Sequence, residues 1–379
     1  MRVLIDYRAA LRERSGVGEY THELVRALAA PGQTGTASPQ IKVTIFSSSS
    51  KDRLNRPADL NGVHIVDRRI PVRLLNLAWH RLGWPPAEAL AGDGFDVVHS
   101  LHPLLMPSRR AAQVVTIHDL NFLVHPERTH AEIRRDYPAL ARAHAERADR
   151  VIVVSRFTAF EVERLLQIPQ ERISICSPGR PHWKPRAAAP ANGYVLFFGT
   201  LEPRKNIGTL LDAYERLASR RPDVPELRLA GKATEQSVEW LARIARPPLN
   251  RVVRHVGYVA PEQRRDLYAG ARMLVQPSYE EGFGLPVLEA MTTGVPVVGA
   301  SAGAIPEVGG DAVQLVAPTD ADGMAVAIER FLDDQALVDT CVARGLARSA
   351  NYTWEQTAAA ALAAYTLAIE HRARAKSVA

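Results

Sequence analysis

Glu281 and Glu289 lie eight residues apart in "EEGFGLPVLEA", with Gly282, Gly284 and Pro286 between them. A pair of carboxylates raises the question of acid–base chemistry on a glycosidic bond, which needs the two groups about 5 to 9.5 Å apart. Eight helical steps would put them roughly 12 Å apart, so the spacing disfavours that role. Pro286 suits the first turn of a helix, and Gly294 suits its end. Glu281 then lies in the loop and Glu289 about one turn inside the helix. Gly282 and Gly284 let backbone N–H groups approach a ligand closely, and a helix N-terminus attracts phosphate. The segment reads as a floor for a phosphorylated ligand with a carboxylate on either side, each able to accept from vicinal hydroxyls. The plain alternative is an ordinary loop with surface glutamates.

"GTLEPRKN" places Arg204 and Lys205 beyond a strand ending at Gly199. A guanidinium fork and a point charge together can neutralise a diphosphate. Glu202 is positioned to pair with one of them, and a solvated charged turn is the competing reading. "SGVGEYT" holds Gly16 and Gly18, a glycine turn that could admit a ligand or be purely structural. It is too short for a dinucleotide fingerprint. "VVTIHDLNF" sets His118 and Asp119 at the end of an apolar strand, where an imidazole can donate a hydrogen bond or a proton, or simply be satisfied by packing. His99 invites the packing reading more strongly. Asp320 and Asp322 form a D-x-D directly before a helical pattern, which fits N-capping better than a metal site. No metal constellation is expected. Residues 68–84, "RRIPVRLLNLAWHRLGW", mix arginines with leucines and tryptophans. They suit a membrane surface or lipid-linked substrate, or else an amphipathic helix packed on its own domain.

The elements that must position these residues come in two series. "RVLID" is followed by the glycine loop and the helical pattern "THELVRALAA". "YVLFFG" is followed by "TLEPRKN" and the helical pattern "IGTLLDAYERLASR". Both open as strand, ligand-type loop, helix. Further β-branched runs alternate with helices: "KVTIFS", "DVVHS", "QVVTIHD" and "RVIVVS" in the first half, then "ELRLAG", "VRHVG", "RMLVQPS", "VPVVGA" and "AVQLV" in the second. Such runs predict parallel strands covered on both faces. The fold class is therefore α/β, with two Rossmann-like domains whose parallel sheets face a deep cleft. The Pro- and Ala-rich stretch 184–193 is the expected linker.

The chain has 379 residues, 46% hydrophobic and 23% charged, the balance of a soluble protein able to bury large cores. Residues 1–185 carry 26 Lys and Arg against 19 Asp and Glu, an excess of +7, while the remainder is near neutral within a total of +6. That basicity suits anionic lipid, nucleic acid or an acidic substrate. Cys176 and Cys341 lie far apart, which excludes a disulfide framework or zinc motif and points to a reducing compartment. The N-terminus lacks the apolar core of a secretory leader. No run approaches the ~20 apolar residues of a spanning helix. The expectation is a cytoplasmic chain, soluble or peripheral on the inner face of the plasma membrane.

Taken together, the motifs "GVGEYTHEL", "TIHDLNF", "RVIVVSRF", "GTLEPRKN", "VGYV", "EEGFGLPVLEAMTTGVPVV" and "GAIPEVGGDA" resemble those of family 4 retaining glycosyltransferases of the glycosyltransferase-B fold, in the family's order along nearly the whole chain. The nearest likeness is to bacterial mannosyltransferase-like members acting on surface polysaccharides. The resemblance implies that Arg204 and Lys205 hold the donor diphosphate and support its departure. It places Glu281 against the donor sugar and Glu289 on the ribose hydroxyls. Gly282, Phe283, Gly284 and Leu285 line sugar and phosphate, with Gly199 at the strand end beside them. Tyr258 and Val259 contact the base. His118 lies near the donor sugar's C6 region, and Gly16 and Gly18 close over the phosphates. The glycine loop is shorter than the Gly-Gly-x-Gly form of some relatives. The resemblance also implies an acceptor-binding domain over 1–185, a donor-binding domain over 190–356, and a last helix from about 357 to 379 packed back on the first domain.

The implied reaction transfers a hexose, mannose from GDP-mannose first and a UDP-hexose second, to a saccharide or lipid-linked saccharide acceptor with retention at the anomeric carbon. It needs no metal or cofactor, and no nucleic acid partner. Contact with anionic membrane would run through the basic half. A nucleotide-sugar epimerase of the same fold would instead turn over donor without acceptor. A phosphorylase would carry pyridoxal phosphate on a lysine, for which there is no signature. A sugar-nucleotide-binding protein without catalysis would not need Glu281, Arg204, Lys205 and His118 together.

Overall fold

The computed structural model describes residues 1–11, 14, 16–30, 41–55, 57–128 and 131–378, without the side chains of 128, 131–136 and 378. Ser15 of the glycine loop and Ala379 of the last helix lie outside the described residues. The chain forms two compact units. Residues 1–179 with 353 onward make the first, and Arg180–Tyr352 the second. The stretch 184–193, expected as a linker, belongs to the second unit. There Arg186 donates from its backbone to Thr293 at 3.0 Å and from its guanidinium to Ala271.

The first unit carries β1 (Arg2–Asp6), β2 (Lys42–Ser48), β3 (His64–Arg68), β4 (Val97–Ser100), β5 (Ala112–Ile117), β6 (Arg150–Val153) and β7 (Ile173–Ile175). All pair in parallel in the order β3-β2-β1-β4-β5-β6-β7. The central strands are the continuous apolar runs of the sequence, and helices cover them. Leu4 sits between Thr44 and Val98 in register. The two edges, β3 and β7, were not expected.

The helix Trp354–Val378 packs on β4 through β7 and on the helix Val17–Ala29. It buries Ala358, Ala361, Ala364, Tyr365 and Ala368. Small residues at helical spacing let its backbone lie close to the sheet, and the Tyr365 hydroxyl meets His99 Nδ1 at 2.8 Å. His99 Nε2 meets Thr116 Oγ1 at 2.8 Å, so His99 is a satisfied core histidine.

The second unit carries β8 (Tyr194–Phe198), β9 (Leu227–Ala230), β10 (Val253–Gly257), β11 (Ala271–Gln276), β12 (Val297–Ala300) and β13 (Val313–Val316). These too are all parallel, in the order β10-β9-β8-β11-β12-β13. The helices Ile207–Arg220 and Ala321–Asp333 pack together on one face around Leu210, Leu217, Ile328 and Phe331. Asp320 caps the latter helix, accepting from the Gly323 N–H at 2.8 Å. Asp322 pairs outward with Arg216 and Arg220, so the D-x-D is a cap. In an open parallel sheet ligands gather beyond the carboxyl ends of the strands where strand order reverses. In these sheets that is the β1/β4 pair and the β8/β11 pair.

Candidate functional site

The loops after β8 and β11 meet at the second sheet's reversal point. The first runs from Gly199 through a short 3-10 turn, Pro203–Lys205, into the helix Ile207–Arg220. Asn206 ends the turn in the left-handed region at φ 58°. Its amide donates to the carbonyls of Pro277 at 2.9 Å and Pro318 at 2.6 Å, and its oxygen accepts from Thr209 at 2.7 Å. The Tyr279 N–H donates to the Arg204 carbonyl at 2.9 Å. One asparagine and one backbone bond thus lock the cationic turn to the loop that carries Glu281.

Glu281 is buried, and its Oε1 accepts from Lys205 Nζ at 2.6 Å, Ser278 Oγ at 2.7 Å and Gln276 Nε2 at 2.8 Å. Its Oε2 lies 3.3 Å from Arg204 Nη1. Arg204 also pairs through Nε with Glu202 at 2.8 Å. Burial alone would raise the Glu281 carboxyl, but Lys205, Arg204 and the hydrogen bonds outweigh it and lower it to about 2. The expected pairing of Glu202 is present. Gln276 and Ser278, which bond this carboxylate, and Asn206, which ties the two loops together, were not singled out in the sequence, since only the fold gives them these partners.

The backbone behind Glu281 is equally constrained. The Ala304 N–H donates to the Glu281 carbonyl at 2.9 Å. A Cβ on Gly303, at φ 61°, would stand 2.6 Å from the Glu281 nitrogen. Only glycine lets the two loops close. Gly303 opens the motif "GAIPEVGGDA", and that motif is the signal that could have found it.

Gly282, Phe283 and Gly284 carry the chain onward. Gly284 sits at φ 96° as the N-cap of the helix Leu285–Thr293, with Pro286 in its first turn and Gly294 closing it at φ 77°, as the sequence predicts. The Phe283 ring stands edge-on to Tyr352 at 5.6 Å.

Glu289 faces a different set of partners. Arg264 Nη1 lies 3.8 Å from Glu289 Oε1, and both side chains are buried. Tyr268 is fully buried beside them. Burial, then the facing Glu289 carboxylate, pushes its phenol well above the ordinary range. The Arg264 guanidinium lies 5.7 Å from the Phe198 ring centre. Glu281 and Glu289 therefore occupy separate charge environments, a lysine–arginine clamp and an arginine–tyrosine pocket, rather than one shared acid–base centre. Tyr258 is exposed and Val259 half-buried, on the loop that follows β10.

His118, Gly16 and Gly18 lie in the first unit. Gly16, at φ 50°, is the N-cap of the helix Val17–Ala29. Gly18 is not part of the loop as expected: the left-handed Gly16 turns the chain at once, so Gly18 lies buried in the first helical turn. His118 Nε2 is 3.2 Å from the Leu101 carbonyl, which can only accept, so this nitrogen carries the proton. Tyr20 stands edge-on to the ring at 5.1 Å. Burial lowers His118 to about 4, so it is neutral at physiological pH and offers Nδ1 as an acceptor. Among the described residues no three His, Cys, Asp or Glu side chains cluster as metal ligands. No helix there is long and apolar enough to cross a membrane.

Comparison with known proteins agrees with this geometry. Residues 192–334 match the family described as glycosyl transferases group 1, and residues 14–184 match glycosyltransferase family 4. The chain is 31% identical to O-antigen chain mannosyltransferase B of Escherichia coli, across 93% of this chain and 96% of that one. It is 28% identical to a D-inositol 3-phosphate glycosyltransferase of Streptomyces griseus, across 78% and 67% of the two chains. The solved sucrose-phosphate synthase of Thermosynechococcus elongatus shares the fold with a TM-score of 0.73 at 23% identity, covering 94% of this chain and 96% of its own. The glycosyltransferase WaaG does so at 0.70 and 15% identity, covering 96% and 98%. A buried lysine–glutamate–arginine cluster at the reversal point of a parallel sheet, within a chain of this likeness, makes the protein a glycosyltransferase of family 4 with the glycosyltransferase-B fold.

Proposed function

We propose that the protein transfers a hexose, mannose from GDP-mannose, to a saccharide or lipid-linked saccharide in the synthesis of a surface polysaccharide. The likeness to an O-antigen mannosyltransferase along almost the whole chain supports the sugar and the pathway class. The observation that carries the chemistry is the Lys205–Glu281–Arg204 cluster, held at 2.6 and 3.3 Å where β8 and β11 end. As the bond from the anomeric carbon to the diphosphate breaks, negative charge builds on the leaving oxygens. Fixed cations aimed at that charge lower the barrier. Lys205 has three N–H donors, of which Glu281 takes one, so the ammonium can hold the carboxylate and meet phosphate together.

In this reading the acceptor oxygen bonds to the anomeric carbon on the face the diphosphate leaves. The acceptor proton passes to the departing phosphate oxygen, and configuration is retained. Glu289, oriented by Arg264, takes the ribose hydroxyls. His118 accepts from a hydroxyl of the sugar through Nδ1. No metal enters, so chelation with EDTA leaves the rate unchanged.

The test is a thermal-shift panel of nucleotide sugars followed by product analysis. GDP-mannose should stabilise most and yield an α-linked mannoside by NMR only when acceptor is present. Stabilisation by a UDP-hexose alone would reassign the donor. Donor turnover without acceptor would identify an epimerase. Full transfer by the Arg204→Ala, Lys205→Ala double variant would overturn the mechanism, since removing such groups typically costs about 10²–10³-fold each.

A further inference from the structure

Residues 68–84 contribute nothing to the site above, yet their surface is unusual. The helix Val72–Leu77 runs on into a π turn, Ala78–Leu82. One side is firmly seated. Leu75 and Trp79 are buried in a cluster with Leu4, Phe46 and Val98. The Trp79 indole N–H donates to the Pro85 carbonyl at 2.9 Å, and the Arg8 guanidinium lies 4.9 Å from its ring centre. Arg8 also donates to Asn76 Oδ1 at 2.7 Å.

The other side should therefore be wholly polar, and it is not. Val72, Leu74, Leu77, Leu82 and Trp84 are 41, 61, 56, 72 and 62% exposed. Among the described residues, these are five of the fourteen large apolar side chains left exposed. A helix seated on one side normally turns polar groups alone to water; this one turns out leucines as well.

Charge decides what covers it. Arg69, Arg73 and Arg81 are exposed among these apolar groups, and no Asp or Glu occurs from residue 68 to residue 87. Two copies of this face would set arginine against arginine, which disfavours a symmetric dimer. Leucines and a tryptophan beside arginines match the lipid–water boundary instead. Apolar groups enter the acyl edge, an indole sits at headgroup level, and guanidinium groups meet anionic phosphates.

We propose that residues 69–84 form a membrane-docking face that lies on a bilayer surface bearing anionic headgroups. The proposal needs no assumption about the sugar transferred, because binding is measured without donor or acceptor.

The test is flotation of the full chain with phosphatidylethanolamine vesicles containing about 30% phosphatidylglycerol, against vesicles of pure phosphatidylcholine. The wild type should float with the anionic vesicles, about tenfold more than with the neutral ones, and less in high salt. The triple variant Leu74→Ser, Leu77→Ser, Trp84→Ser should lose about tenfold or more of that partition, with its nucleotide-sugar thermal shift intact. If that variant folds poorly, Arg69→Gln, Arg73→Gln, Arg81→Gln decides the matter, since it changes no apolar contact and should abolish the preference for anionic vesicles. Three results would overturn the proposal: no flotation of the wild type, variants that float like the wild type, or a solution dimer that the serine substitutions dissociate.

Discussion

Both sheets reverse their strand order beside a buried carboxylate, and the two carboxylates are held in different ways. In the first unit Asp6 ends β1. Its Oδ1 accepts from the Arg8 backbone at 3.1 Å and Nε at 2.9 Å, and its Oδ2 from Arg8 Nη2 at 2.6 Å and His102 Nε2 at 3.0 Å. Its main partner lies two residues away in sequence and is itself capped by Asn76 and Trp79. In the second unit Glu281 takes its cations from a turn more than seventy residues earlier in the chain. The first is mainly a local ion pair at a strand end, to which His102 from beyond β4 is added. The second joins two ligand loops, and its lysine keeps N–H groups to spare. A buried ion pair alone does not mark an active centre; one that spans separate loops at a reversal point has the geometry for it.

The comparison can be broken from either side. The largest effect is expected from removing one charge. Lys205→Met and Arg8→Met should each cost about 3–5 kcal/mol in urea unfolding, because each strands a buried carboxylate. Only Lys205→Met should also abolish donor binding. Adding Glu281→Gln to Lys205→Met should restore much of the stability but none of the transfer, and restored transfer would mean that the junction is structural.

Acid should separate the units next. The polar interior of the first unit holds neutral histidines: burial lowers His99 and His80 to about 3, and His118 and His144 to about 4. A lowered folded value contributes stability that is complete above the ordinary histidine value near 6.5 and is lost as pH falls toward 4 and 3. Glu281, lowered to about 2, contributes stability that is complete above its ordinary 4.5 and is lost only as pH falls through 2. Between pH 6.5 and 4.5 the first unit alone should weaken, by on the order of a few kcal/mol. Trp79, Trp84 and Trp354 report the first unit, while Trp183 and Trp240 report the second. Coincident loss of both signals on acidification would remove the distinction.

Smaller again is Gly303→Ala, which forces a Cβ against the Glu281 backbone in a left-handed conformation. It should cost about 1–3 kcal/mol and weaken nucleotide-sugar binding by calorimetry, while bare vesicle flotation is unchanged. Smallest is Tyr268→Phe, about 1 kcal/mol or less. If Arg264 and Tyr268 orient Glu289 on a ribose, this variant should reduce the preference for ribonucleotides over their deoxy analogues. An unchanged ratio would assign Tyr268 to packing alone.

Much of this was legible in the sequence because the central strands are buried on both faces and read as continuous apolar runs. The edges were not. β3, "HIVDR", buries only its central Val66, and β7 is only three residues, "ISI". Neither length nor pattern separates them from loops. At the site, Gly284, Arg204, Lys205, Glu281 and Glu289 announced themselves by type and spacing, whereas Gly303 and Arg264 went unread. So did the neutral partners of Glu281, since a glutamine at a strand end and a serine beyond it gain meaning only when Lys205 arrives from another loop. The boundary of the glycine loop was misplaced for a local reason: the left-handed Gly16 starts the helix sooner than the polar pattern suggests.

The helix Trp354–Val378 has one further consequence. It completes the first unit from the far end of the chain, and the bond from His99 to Tyr365 spans 266 residues. Arg180–Tyr352 is continuous, so during synthesis it can close its core while the first sheet still lacks the helix that covers it. The long loop that must be closed before Tyr365 docks makes that step the slow, high-contact-order event. The half of the molecule made first is therefore expected to be the half that finishes folding last.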